Sequence, residues 1–163
     1  MRTALFPGSF DPFHNGHLEI VETASRLFER IVIAPVHNRQ KATALFSLDE
    51  RRSMIAASVV HLANVEVAPA DGPKLVVDVA KAIGADVIIK SLRVASDAEL
   101  ELQQAQINKA VAGIETLFVP CSSAYSFIAS KWLRDFANYG AADRVGTMVP
   151  QPVFAVIKER FAL

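Results

Sequence analysis

The chain has 163 residues, 52% of them hydrophobic and 21% charged, with 17 lysines and arginines balancing 17 aspartates and glutamates. That length predicts one domain, residues 1–163, with a sizeable core, and the balanced charge excludes a nucleic-acid binder that works through bulk positive charge. The single cysteine, Cys121, excludes an intramolecular disulfide and a cysteine-based zinc cluster, and reads as a small apolar residue in or near the core. No apolar run approaches the ~20 residues of a membrane span. The chain opens directly on a strand, so no leader, no membrane partner and a cytoplasmic setting are expected.

Thr3-Ala4-Leu5-Phe6 is an apolar run that predicts a buried first strand. Leu18, Val21, Ala24, Leu27 and Phe28 fall at helical spacing and predict a helix from Leu18 to Phe28. Between them lies Pro7-Gly8-Ser9-Phe10-Asp11-Pro12-Phe13-His14-Asn15-Gly16-His17. This stretch is a strand-to-helix turn, the place where open α/β sheets bind phosphate ligands. Gly8 has no Cβ and would let backbone approach a phosphate. Asn15 is the expected N-cap, and the helix it opens would aim free N–H groups at an anion. His14 and His17, three apart, can share one side of that helix start. Two imidazoles and a helix N-terminus on one point predict a polyphosphate cradle.

Further along, Ile31 to Val36, Val65 to Val67, Val87 to Lys90 and Thr116 to Val119 read as strands. Ser47, with Glu50 three residues later, forms a capping-box signature for a helix carrying Met54, Ile55, Ala57 and Ser58. Leu75, Val76, Val79 and Ile83 stripe a helix that Gly84 should end. A long helix is expected over 96–111, another from Phe127 to Ala137 and a last one from Val153 to Phe161. Residues 140–147 read as a variable or disordered loop. Five alternations of strand and helix predict a Rossmann-like α/β fold: an open five-stranded parallel sheet with helices on both faces.

Chemistry-bearing residues cluster beyond the carboxyl ends of these strands. Ser9, His14 and His17 follow the first, Lys41 the second, Lys90 and Arg93 the fourth, and Ser122 to Ser130 the fifth. In an open α/β sheet those ends share one edge, so they can build one site. Arg93 can also pair with Asp97 or Glu99 on the next helix; Trp132, Leu133 and Phe136 read as core or oligomer contacts; His37 and His61 read as structural or surface residues.

Gly8-Ser9-Phe10-Asp11-Pro12 followed by His14-Asn15-Gly16-His17 resembles the His-x-Gly-His signature of the nucleotidylyltransferase superfamily, related to class I aminoacyl-tRNA synthetases. Phe46 to Arg51, Ile89 to Arg93, Asp97 to Glu101 and Tyr125 to Ser130 follow in order, and up to about residue 138 the chain is similar to the bacterial phosphopantetheine adenylyltransferases. That family joins ATP and 4′-phosphopantetheine into dephospho-coenzyme A and pyrophosphate, uses Mg²⁺, and is typically a homohexamer. The resemblance implies catalytic roles for His17, Lys41 and Arg93. It implies nucleotide contacts from Ser9, Phe10, His17, Ser91, Leu92, Arg93, Glu101 and the run Tyr125, Ser126, Phe127, Ile128, Ala129, Ser130, Lys131. Ser9, Lys41 and Lys90 would meet the acceptor phosphate, while Leu75 and Val76 would line the pantetheine arm. His17, with His14 beside it, would neutralise charge on the α-phosphate, and the acceptor phosphate, already anionic, needs no general base. No protein ligand set for the metal is expected.

The chain departs from the family pattern at several of these positions. Lys90 and Ser91 stand for arginine and glycine, Ala129 and Lys131 for serines, Phe6 for tyrosine and His14 for threonine. Lysine keeps the charge but lacks the bidentate fork. These changes keep two other readings open: transfer to another phosphorylated acceptor, such as nicotinate mononucleotide or a sugar or polyol phosphate, and a non-catalytic nucleotide-binding paralogue.

Overall fold

The structure is a computed structural model that describes residues 2–36, 44–69 and 75–161, and of residues 95–97 the backbone. Strands β1 (Thr3–Gly8), β2 (Arg30–Pro35), β3 (Val65–Val67), β4 (Val87–Leu92) and β5 (Glu115–Pro120) alternate with helices α1 (Asn15–Ser25), α2 (Leu48–Ser58), α3 (Val76–Ile83) and α4 (Ala95–Ala112). Helices α5 (Ser130–Asn138) and α6 (Gln151–Arg160) follow. Every described strand pairing is parallel, in the order β3-β2-β1-β4-β5. The five-stranded Rossmann-like sheet expected from the alternation is therefore the fold. Strand order reverses between β1 and β4, so the crevice at that switch point opens beside the residues following Gly8 and Leu92.

Side-chain alternation along each strand splits the core in two. Ala4 and Phe6 of β1, Ile31 and Ile33 of β2 and Val87 and Ile89 of β4 pack with apolar residues of α1, α2, α5 and α6. Leu5, Val32, Ala34 and Ile88 face the other way, against α3. Strands covered on both faces must be apolar at every position, which is why they read as continuous runs. Each fully buried leucine, isoleucine or phenylalanine contributes roughly 1.5–3 kcal/mol. Among the described residues no helix is long and apolar enough to cross a membrane.

Three local expectations are corrected. Helix α1 begins at Asn15 rather than Leu18, and its N-cap is His14 rather than Asn15. Helix α5 begins at Ser130 rather than Phe127: the amides of Tyr125 and Ser126 both turn back onto the Ser122 carbonyl, at 3.1 and 3.0 Å, and Phe127 stays 64% exposed. The 140–147 stretch is ordered, with a 3₁₀ turn over Ala142–Val145. Ala142 and Val145 are fully buried in the main core, and the turn packs against α5 and α6. Its polar neighbours Asp143 and Arg144 disguise that pair of small apolar anchors in the sequence.

The turn after β1 is fastened by a buried carboxylate. Asp11 is 2% exposed. Its two oxygens accept the N–H groups of Leu45 and Phe46, each at 2.9 Å. Arg51 of α2 lies 3.7 Å from the carboxylate and donates to the carbonyls of Phe46 and Ser9, at 2.8 and 2.9 Å. Arg134 of α5 lies 4.0 Å from it and donates to the Asp11 carbonyl at 2.7 Å. From outside, Arg160 of α6 bonds the Leu45 carbonyl and the Glu50 carboxylate. Removing one partner of a buried pair leaves the other charge uncompensated. Asp11→Asn should therefore lower the unfolding free energy by roughly 3–5 kcal/mol in urea titrations. A change under about 0.5 kcal/mol, the range of an ordinary surface substitution, would refute the clamp.

Candidate active site

Parallel strands bring Ser9 to His17, Arg93, and Cys121 to Ser130 to one edge of the sheet. The Gly8 position is needed for packing: a Cβ there would sit 2.7 Å from the Cζ of Phe10. An aromatic ring thus takes the space that the sequence suggested for a phosphate. Phe10 has a φ of 46°, in the left-handed region that non-glycine residues seldom adopt. Its ring is braced by Phe6, Phe13 and His17, with centroids at 5.3, 5.6 and 4.9 Å.

At the start of α1 two imidazoles cap one another. The His17 N–H donates to His14 Nδ1 at 3.4 Å, and the His14 N–H donates to His17 Nδ1 at 3.2 Å. This is the reciprocal arrangement usually made by serine or threonine with glutamate. The rings stack with centroids 3.6 Å apart and planes at 21°. Gly16 makes the room, since a Cβ there would come within 3.1 Å of the His14 ring. Because His17 Nδ1 is used as an acceptor, its neutral ring carries the proton on Nε2 and presents a donor there. Asn15 is otherwise engaged: its side chain donates to the Thr147 carbonyl at 3.0 Å, and its N–H to the Met148 carbonyl at 2.9 Å.

His14 adds no positive charge to the cradle expected from the two imidazoles and the helix N-terminus. It is 2% exposed, and burial, then the nearby Arg93 guanidinium, pulls its pKa down to about 3. The ring is neutral near pH 7 and supplies a cap and a stacking face, with no positive charge.

The remaining candidates divide into those around the motif and those beside it. Ser9 gives its carbonyl to Arg51. Arg93 Nη1 donates to the Ile128 carbonyl at 3.0 Å, tying the end of β4 to the turn before α5. Ser130 Oγ donates to the Pro12 carbonyl at 2.9 Å, tying the start of α5 to the motif. The Tyr125 carbonyl lies 3.5 Å from the position a Gly16 Cβ would take. Ser91 and Leu92 close β4 opposite Val119 and Pro120. Ile128 is 3% exposed, so its backbone is what it can offer a ligand. Ala129 caps α5 without a side-chain bond, leaving the helix N-terminus open to an anion.

Beside the motif, Lys90 Nζ lies 3.3 Å from Glu101 Oε2 and 3.4 Å from Gln104 Oε1. The Glu101 oxygen is an ion-pair partner without hydrogen-bond alignment. The exposed Lys131 lies over the Trp132 ring, 5.1 Å from its centroid. Leu75 is 67% exposed ahead of α3, and Val76 packs against the smaller core cluster on that face of the sheet. Lys41, His37 and the Asp97 side chain lie outside the described residues. Two residues the sequence reasoning passed over are Asp11 and Arg51. Asp11 stood in the quoted motif, and a carboxylate in so apolar a stretch was the available signal.

A cytidylyltransferase-like family model matches residues 5–136, from β1 into α5. A phosphopantetheine adenylyltransferase of a Synechococcus species is 44% identical over 161 residues, covering 98% of this chain and 98% of its own. One from Gloeobacter violaceus is 45% identical over 160 residues, covering 98% of this chain and 96% of its own. The chain belongs to the phosphopantetheine adenylyltransferase family. Its fold is also that of a Vibrio parahaemolyticus crystal structure provisionally named as a nicotinate-nucleotide adenylyltransferase, with a TM-score of 0.66 at 16% identity over 96% of this chain and 99% of that one.

In this adenylyltransferase-family chain, Cys121 sits one residue past β5 and stays chemically quiet. Its N–H donates to the Leu92 carbonyl at 2.9 Å, and its thiol lies 3.4 Å from a Glu19 oxygen that also accepts the Ser122 N–H at 3.0 Å. Burial pushes the Glu19 carboxyl up, but the Ser122 and Cys121 hydrogen bonds outweigh it and hold the group below its usual range. Burial first, then Glu19, raises the Cys121 thiol from 9.0 to about 11. Two units mean ~100-fold less thiolate at neutral pH. Alkylation of Cys121 by iodoacetamide near pH 8 should therefore run about two orders of magnitude slower than that of a free thiol. Glu19→Gln should speed it. Labelling at the free-thiol rate would show that Glu19 does not restrain the sulfur.

Proposed function

We propose that this chain transfers the adenylyl group of ATP to 4′-phosphopantetheine, releasing pyrophosphate and dephospho-coenzyme A. The observation that carries this reading is the His-x-Gly-His turn at the β1/β4 switch point, with the His17 donor fixed on Nε2, in a chain of this family. An oxygen of the acceptor phosphate bonds to the α-phosphorus of ATP as the bond to the β-phosphate bridging oxygen breaks. Electrons leave with pyrophosphate, and no proton need be removed from the nucleophile. Catalysis then consists of positioning and charge stabilisation.

His17 Nε2–H donates to an α-phosphate oxygen as charge develops there. Arg93 and the backbone N–H groups at the N-terminus of α5, that of Ser130 among them, hold the β- and γ-phosphates. Ser9, Phe10, Ser91, Leu92, Glu101 and the Tyr125 to Lys131 run enclose the nucleotide. Lys41 and Lys90 hold the acceptor phosphate, and Leu75 and Val76 line the pantetheine arm. Lys90 reaches phosphate by loosening its contacts with Glu101 and Gln104, which a flexible single-point ammonium does more readily than a guanidinium fork. Mg²⁺ bound with the triphosphate would supply charge neutralisation for the departing pyrophosphate. The ion commonly keeps waters and substrate phosphate oxygens as ligands, so it would enter with the nucleotide.

The same reading places the enzyme in the cytoplasm as a homohexamer. Leu100, Ile107 and Val111 on α4, and Trp132, Phe136 and Tyr139 at α5, are exposed in one chain and offer the apolar surface an assembly would cover.

Pyrophosphate release from Mg²⁺–ATP, run with 4′-phosphopantetheine and in parallel with nicotinate mononucleotide, tests the acceptor. Release is expected with the pantetheine acceptor alone; release only with the other would move the chain to a different acceptor. His17→Ala should lower kcat by on the order of 10²–10³, the scale of losing one oxyanion donor. ATP affinity should fall only a few-fold. Equal losses in both would make His17 a ground-state binding residue.

A further inference from the structure

His14 occupies a place in this chain that a phosphate ligand could not share. Its ring is 2% exposed and lies face to face with His17 at 3.6 Å. Its Nδ1 is taken by the His17 N–H, and its own N–H is spent on His17 Nδ1. Gly16 closes its flank. We infer that His14 is a positioning residue: its ring holds the His17 ring flat, its backbone N–H keeps that ring in the Nε2–H form, and it does not itself contact phosphate.

The physical argument rests on how many ways an imidazole can be wrong. Two ring orientations and two tautomers are open to an unrestrained histidine. A flipped ring points carbon at the α-phosphate oxygen, and the wrong tautomer points a lone pair at it, which repels. A neighbouring ring stacked at 21° opposes rotation, and an N–H aimed at Nδ1 leaves Nε2 as the protonated nitrogen. The restraint requires His14 to stay neutral, because a protonated Nδ1 could no longer accept the His17 N–H. Burial and the facing Arg93 guanidinium keep it so. Arg93 thus has a second effect besides its bond to the Ile128 carbonyl: it disfavours a second cation next to His17. The inference rests on His17 as the group that meets the α-phosphate.

The test is long-range ¹H–¹⁵N spectroscopy of the imidazoles in the uniformly labelled full chain, combined with kinetics. In the unsubstituted protein His17 should show one tautomer, Nε2–H, and His14 should stay neutral from about pH 5 to 8, where an ordinary histidine titrates. His14→Ala keeps the backbone N–H of residue 14 but removes the stacked ring and the capping acceptor. The His17 ring should then lose its single orientation, read as broadened or doubled ring signals, and kcat should fall ~10–100-fold, the scale of misplacing a catalytic group. KM for ATP should move less than ~3-fold. His14→Asn, which restores a capping acceptor on a flat side chain, should recover most of the lost turnover. Titration of His14 within that range would overturn the inference. So would a ~10-fold rise in KM for ATP with kcat intact, or no recovery with asparagine. If the alanine variant does not fold, the unsubstituted spectra and the asparagine variant decide. Full turnover in His17→Ala would instead refute the role given to His17, while the spectra would still report whether the His14 ring holds His17 in one orientation.

Discussion

A single buried anion fixes the geometry on which the site depends. The Asp11 carboxylate is sealed from water, and an unpaired charge in such a place is costly. Its stability requires two backbone N–H groups from the Leu45–Phe46 segment and two guanidinium groups, one from α2 and one from α5. Those donors come from stretches 34 to 123 residues away, so the anion is satisfied by one mutual arrangement of motif, α2 and α5. The carbonyls of Ser9 and Asp11 are pinned by the same arginines. A turn with a left-handed Phe10 would otherwise have little reason to hold its shape.

Within that frame, capping and catalysis use the same atoms. Every helix start leaves N–H groups to satisfy, and here the satisfying groups are the motif histidines. The bond that closes the first turn of α1 is the bond that leaves His17 with its proton on Nε2. Phe10 at its edge and Phe13 on its face complete an aromatic setting for the ring. Positive charge comes from the rim, from Arg93 and Lys90, while the ring of His14 stays neutral. This separation keeps the interior of the turn free of like-charge repulsion before any triphosphate arrives.

Lys90 and Glu101 show a different economy. Both are named by the family resemblance as ligand contacts, one for acceptor and one for nucleotide, yet they stand against each other. The pair is mostly shielded from water, and the Glu101 oxygen facing the lysine has no aligned hydrogen bond, so a ligand phosphate that takes the ammonium exchanges one anionic partner for another. An ammonium held this way also explains how the chain accommodates a lysine at a position where the family usually has arginine.

Much of the fold was legible in the residues because the forces that set it are local. Apolar runs marked β1, β2, β4 and β5, the alternating Val65-Glu66-Val67 marked β3, the Ser47–Glu50 box started α2 as read, and Gly84 ended α3 at a φ of 66°. Each of these depends on neighbours within a few residues, or on a period that any buried strand must show. The convergence of Ser9, His17, Arg93 and Ser130 on one edge was legible too, because parallel strands have no other way to end. Tertiary structure alone decided the N-cap of α1, since Asn15 is drawn away by Thr147 and Met148 from across the molecule. It decided that Gly8 serves the Phe10 ring, that 142–145 is an anchor, and that His14 is neutral. Protonation, burial and the partner of a polar atom are properties of what surrounds a residue in space, and those surroundings come from segments that the chain order keeps far apart.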